Sequence, residues 1–202
     1  MQLRASFMHS NIMNPFFQDP LVLSMQNVFL AAFLIVSIIL ILLKRKESPY
    51  LLSILPLFVL TFHQVDEYIL SPLLLGNEYH FLNWAYRSGL DISPIEVVSI
   101  NSFGYLPALI IFLFNPSTEL FALLFTLITS ATLANAMFHL GLSTAQIEYS
   151  PGMVTALFLF LPLYIKSVLL ASERLASLKQ IFVCSLYGFG IHYIAIWLIN
   201  IY

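Results

Sequence analysis

Six apolar runs divide the chain, each close to the roughly 20 residues that a membrane-spanning helix needs. They cover Leu21–Leu43, Pro49–Leu75, Pro94–Phe114, Thr118–Leu142, Pro151–Ser172 and Gln180–Tyr202. The pattern predicts an all-α fold: a polytopic integral membrane bundle of about six transmembrane helices. The connections are too short to fold by themselves, so residues 1–202 read as one membrane domain. Ser93 with Glu96 three positions on forms a capping box, and Pro94 suits a first helical position. Ser150 and Pro151 read the same way, as cap and opening residue of the fifth helix. Residues 76–93 form the longest connection. Their aromatic content predicts a loop lying at the bilayer interface, with His80 an interfacial polar residue.

Polar positions interrupt these runs in few places. The densest is His63-Gln64-Val65-Asp66-Glu67, inside the second run. Ionisable groups within a span cost about 2.5–3.5 kcal/mol each on insertion scales and normally face a polar interior. Helical spacing i, i+3, i+4 puts His63, Asp66 and Glu67 on one face. The fourth run carries Asn135 and His139, again one turn apart, and the sixth carries His192 between two nearby glycines and the C-terminal end. At ~1.5 Å per residue from the cytoplasmic end of each helix, His63 falls at ~21 Å, Glu67 at ~27 Å, Asn135 at ~26 Å and His139 at ~32 Å. These depths allow one shared site. Packing alone is the expected role of His192, beside Gly188 and Gly190, and of Asn101 on the third helix.

Composition narrows the class further. Of 202 residues, 60% are hydrophobic and 9% charged, which excludes an ordinary soluble domain. The net charge of −2 gives no electrostatic basis for binding nucleic acid. The single cysteine, Cys184, has no internal partner for a disulfide. The first run is too long for a signal-peptide core and ends at Lys44-Arg45-Lys46, so it reads as a retained helix preceded by a mixed stretch with Arg4, Asn11, Asn14 and Gln18. With the N-terminus outside, Lys44, Arg45, Lys46, Lys166, Arg174 and Lys179 fall at the cytoplasmic side and only Arg4 and Arg87 outside. The bias of basic residues therefore predicts both termini outside.

Two chemistries fit the polar positions. In one, His63, Glu67 and His139 hold a divalent metal, zinc first. Two histidines and a carboxylate with an open position are a catalytic zinc set. The bound metal would acidify water, with Asp66 as base or partner and Asn135 orienting the substrate. That predicts an intramembrane, hydrolase-like enzyme acting on a membrane lipid or another apolar small molecule. In the other, the same groups work without metal, as an acid–base isomerase or hydrolase or as the relay of a proton-coupled carrier or ligand-binding protein.

The blocks His63-Gln-Val-Asp66-Glu67-Tyr68, Asn135-Ala-Met-Phe-His139 and Tyr149-Ser150-Pro151-Gly152-Met-Val-Thr155-Ala156 resemble, in order and spacing, the HXXEE domain family of prokaryotic membrane proteins. The likeness spans about residues 49–163. Asp66 stands where that family's first Glu is named. The resemblance implies a multi-pass membrane domain with these polar positions as its signature and leaves the choice between the two chemistries open. The His63–Glu67 spacing is also similar, over one turn, to that of the sterol isomerase (emopamil-binding) family.

Overall fold

The computed structural model describes residues 19–90, 92–114, 116–172 and 175–199. The expectations that rest on Arg4, the N-terminal polar stretch, Arg174 and the last residues to Tyr202 lie outside them. Within the described residues the fold is all-α, and it follows the apolar runs closely. Helix α1 (Pro20–Arg45) starts on Asp19, whose side chain accepts from the Leu21 N–H, and ends on Lys44 and Arg45. The second run forms α2 (Leu51–Val65), a π-helical turn (Asp66–Leu70) and α3 (Ser71–Leu75) in direct succession. A 3₁₀ turn (Asn77–Tyr79) and α4 (Phe81–Arg87) precede α5 (Pro94–Ile111) and α6 (Glu119–Gln146). The fifth run is again broken, into α7 (Met153–Thr155), a second π-helical turn (Ala156–Phe160) and α8 (Leu161–Ser172); α9 (Leu178–Ile199) follows. The Ser93–Glu96 capping box is formed at both of its bonds.

Both π turns have a readable cause. Each ends two residues before a proline, Pro72 or Pro162. Proline has no N–H for the carbonyl four residues back, and its ring collides with that carbonyl. The helix accommodates this by widening for one turn, and the Ser71 N–H reaches back five residues to Asp66 O. The carbonyl freed by Pro72, that of Tyr68, accepts instead from Gln26 Nε2 on α1 at 3.2 Å.

The bundle is inverted relative to a water-soluble protein. Its surface carries large apolar side chains such as Leu34, Phe103, Leu113, Phe158 and Trp197, while Thr61, His63, Gln64, Asp66, Glu67, Thr129 and His139 are buried. Among the described residues, five helices are long and apolar enough to cross a membrane: α1, α5, α6, residues Met153–Leu170, and α9. The remaining run, containing α2 and α3, is divided by its π turn. Apolar outside and polar within is the distribution a helical membrane bundle requires, since hydrocarbon satisfies no polar group.

α6 is the central element. It lies against α8 and the second π turn on one side, α9 on another, and touches α2 and α5. Close approach of α6 and α9 depends on Gly188: a Cβ there would lie 2.0 Å from Ser130 Oγ and 2.5 Å from Leu127 O. Gly190 has open space around it and does not share this role.

The two ends of the bundle differ. Ring contact of Tyr50 with Phe112 and the hydrogen bond from Gln180 to Glu119 gather the ends bearing Lys44, Arg45, Lys46 and Lys179. At the opposite end Arg87 pairs with Glu148 at 2.9 Å, and Ser88 Oγ donates to Gln146 Oε1 at 2.8 Å. These contacts join the 76–93 connection to the 147–152 turn. The connection is not the surface loop its aromatic residues predicted. Phe81, Leu82, Trp84 and Ala85 are buried against Val22, Met25, Phe29 and Tyr68. His80 is fully buried, and burial pushes its imidazole down to about 4, so it is neutral. The Gln26 amide donates to His80 Nε2 at 2.8 Å, which leaves the proton on Nδ1.

Replacing Gly188 by leucine is expected to lower stability by about 1–3 kcal/mol, the usual cost of overfilling a tight contact. The fall would be measured as a lower unfolding midpoint in detergent, with Gly190→Ala as the unaffected comparison.

Candidate metal centre

The site grows out of the π turn in the middle of the second run. Residues 63–68 are all buried, so this segment presents no face to the exterior and each polar side chain must find a partner inside. His63 and Glu67 lie one turn apart, with His63 Nε2 at 3.4 Å from Glu67 Oε1. His139, projecting from α6, brings its Nε2 to 3.2 Å from the same carboxylate oxygen. One ligand atom from each of the three residues lies within 4.8 Å of the other two. No other group of three or more His, Cys, Asp or Glu among the described residues does this.

The far side of each imidazole is held by a hydroxyl from the segment after α6. Thr155 Oγ1 lies 3.0 Å from His63 Nδ1, 2.7 Å from Asp66 Oδ2 and 3.0 Å from Gly152 O. An ionised carboxylate and a carbonyl only accept, so the threonine proton goes to one of them. Thr155 must then accept from His63 Nδ1–H, and the lone pair of His63 sits on Nε2. The Asn135 amide agrees with this tautomer, since its Nδ2 lies 3.0 Å from His63 Nε2 as a donor. On the other ring, His139 Nδ1 meets Ser150 Oγ at 2.8 Å.

This assignment leaves a conflict that defines the chemistry. His63 Nε2, whose one lone pair accepts from Asn135, lies 3.4 Å from the anionic Glu67 Oε1 with no proton between the two acceptors. Two acceptors at that range repel unless a cation or an added proton lies between them. Ligands 2.0–2.1 Å from a tetrahedral metal stand ~3.3 Å apart along each edge. The observed 3.4 and 3.2 Å match two such edges.

The structure thus brings together His63, Glu67, His139 and Asn135, from elements far apart in sequence. Asp66 takes the place of a partner behind the cluster: the hydroxyls of Thr155 and Ser71 donate to its two oxygens at 2.7 and 3.1 Å, and Thr155 also meets His63. Asp66 therefore acts on the site only through Thr155 and His63. Ser150 is not a helix cap: it is fully buried against His139, and α7 begins after Gly152, with Pro151 in the turn before it. Asn101 donates to Gln64 Oε1 at 3.0 Å, an interhelical bond of the expected kind. His192, expected only to fix helix packing, lines a cavity beside the site, and its buried Nε2 has no partner.

Sequence reasoning passed over Thr155 and Gly152 as functional positions. Gly152 has φ +82, and a Cβ on it would lie 2.6 Å from Glu67 Cγ and 2.7 Å from His63 Cε1. The signal available was the glycine itself, next to a proline and a buried serine in Ser150-Pro151-Gly152.

A helical membrane bundle with a buried two-histidine, one-carboxylate cluster is the class these features define. A family model described as a protein of unknown function with HXXEE motif matches residues 53–167, more than half of the chain, and the chain belongs to this HXXEE family. Its motif is His63 to Glu67, with aspartate at position 66. No curated protein and no solved structure matches it.

Gly152→Ala is expected to cost roughly 1–3 kcal/mol through the left-handed backbone and the collision with His63 and Glu67. A thermal unfolding comparison with Gly141→Ala, whose added methyl meets nothing within 4 Å, separates this from a general effect of replacing glycine.

Proposed function

We propose that the chain is a metal-dependent intramembrane enzyme, hydrolase-like in chemistry, acting on a lipid or other apolar substrate. The observation that carries this reading is the close pair of acceptors, His63 Nε2 and Glu67 Oε1, with His139 Nε2 at 3.2 Å from the same carboxylate oxygen. A divalent cation satisfies all three at once. Zinc fits the donor set, and with three protein ligands it would keep a position for water, which it makes acidic enough to ionise near neutral pH. The hydroxyls of Thr155 and Ser150 orient the two rings, as second partners of metal-bound histidines do. Asn135 borders the cavity next to Glu67, in position to bind a substrate oxygen or the water.

A second reading has one observation in its favour. The Asn135 Nδ2 donor at 3.0 Å already engages the His63 lone pair, so a metal requires that amide to rotate. Without metal, a proton shared between Glu67 and His139 supplies an acid–base pair suited to isomerisation or hydrolysis. Elemental analysis decides between the two. The metal reading expects about one zinc per chain after metal-replete purification, lost in His63→Ala and His139→Ala. Thr155→Val is expected to weaken metal affinity about 10–100-fold, and Thr155→Ser to retain it. A folded, stoichiometrically metal-free protein would leave the acid–base reading standing.

We also place the Lys44–Lys46 and Lys179 end of the bundle in the cytoplasm and both termini outside, on the bias of basic residues. A cysteine introduced at Lys46, in a Cys184→Ala background, is expected to react with an impermeant reagent only from the cytoplasmic side. Labelling from outside would reverse the orientation.

A further inference from the structure

Beside the cluster lies a cavity of about 200 Å³, bounded by α2, α5, α6 and α9. Most of its wall is apolar. Hydrogen-bonding side chains are confined to those of the site, Tyr68, the Gln64–Asn101 pair, Thr132 and His192. His192 matters most here, because its Nε2 is buried and has no partner. A buried polar atom without a partner is unfavourable, and a ligand group that pairs with it removes that cost.

Three features of this space restrict what fills it. The first is the route. Phe103 on α5 and Ile191 on α9 line the cavity, yet they are 75% and 52% exposed on the outside of the bundle. Both lie near the middle of apolar helices, so the mouth between them faces the hydrocarbon of a bilayer. Toward the capped end, by contrast, Leu82 and Trp84 of α4 are fully buried. The second is size. A 150 Å³ cavity accepts one benzene, and on that scale about 200 Å³ holds about eight carbon atoms, a segment of one chain. The third is charge. No Lys or Arg lines the cavity, and Asp66 and Glu67 are buried nearby. A bound divalent cation would only cancel these two carboxylates, and no positive charge is left over for an anionic headgroup.

We infer that the cavity is a chamber for a neutral, single-chain amphiphile that arrives sideways from the bilayer between α5 and α9. Its polar end is held between the Glu67–Asn135 edge and His192 Nε2. A hydroxyl suits this place, because it donates or accepts and pairs with either tautomer of His192. This rests on the reading of Glu67 and its histidines as the reactive end of the cavity. His192 is then a specificity-determining residue.

The test uses the full chain in phosphatidylcholine nanodiscs with three photoreactive probes sharing one diazirine-bearing chain: a long-chain primary alcohol, the corresponding carboxylic acid, and a two-chain phosphatidylcholine. The alcohol is expected to label peptides around Phe103 and Ile191 saturably, with the acid and the two-chain lipid lower by about tenfold or more. His192→Leu is expected to reduce alcohol labelling about tenfold, the worth of one hydrogen bond. Ala195→Trp, which fills the wall from α9, is expected to abolish it. Equal labelling by all three probes overturns the inference, as does alcohol labelling indifferent to both substitutions. Metal content is measured on the same nanodiscs. Selective alcohol labelling of a metal-free protein upholds the chamber and overturns the metal centre. Stoichiometric metal with unselective labelling overturns the chamber alone.

Discussion

A carboxylate buried among hydrocarbon must be matched by donors or by a cation, and α2 leads into two such carboxylates, side by side. Meeting that demand organises the bundle. Asp66 is satisfied by the hydroxyls of Ser71 and Thr155, while Glu67 meets His139 Nε2 at 3.2 Å and needs a cation or an added proton toward His63 Nε2 at 3.4 Å. Thr155 lies 89 residues beyond Asp66, and His139 lies on the central helix α6. The two acids thus draw the 147–160 segment and α6 onto α2, and Phe160 packs its ring against His63 at 4.8 Å, joining the site to the apolar cluster that includes Phe121 and Phe125. In hydrocarbon, where apolar association contributes little between helices, such polar contacts and close shape fit are what fix which helices are neighbours.

Much of this was legible in the chain itself. The six apolar runs set the helices to within a few residues, and the Ser93–Glu96 box forms as read. The turn spacing of His63–Glu67 and Asn135–His139 put the right side chains on facing stripes. The places where local reading failed are places where tertiary contact decides. Ser150 next to Pro151 carries a helix-start signature, but its hydroxyl is taken by His139, and the helix opens two residues later. Asp66 is in phase with His63 and both reach Thr155; that the hydroxyls of Thr155 and Ser71 hold it one step behind the cluster is decided by the distant segment that carries Thr155. The aromatic residues of the 76–93 connection suit a membrane interface equally well as they suit a core. Only the apolar face offered by α1 and α5 draws them inside.

The hydroxyls give the site its rigidity. A histidine ring can turn about its side-chain bonds unless both nitrogens are engaged, and here Thr155 and Ser150 anchor the inner nitrogens from a single short segment. Gly152 lies between them, tight against Glu67 and His63, with no room for a side chain. The turn from Ser150 to Thr155 is therefore a clamp on both rings at once, set by backbone geometry more than by any flexible arm.

The paired π turns carry a consequence for how the two helices work as mechanical parts. A π turn holds one residue more than the α-helical path it replaces, so it acts as a gear offset: the residues beyond it are shifted by one in register against those before it. Both helices that frame the cluster carry such an offset beside it, at Asp66–Leu70 and Ala156–Phe160. A single-residue deletion in either turn would restore a regular helix with its far end almost in place, but it would change which side chain stands at each position of the turn, and Asp66 and Glu67 lie in the first of the two. Spacing within these two segments is thus as much a part of the site as the identity of its histidines.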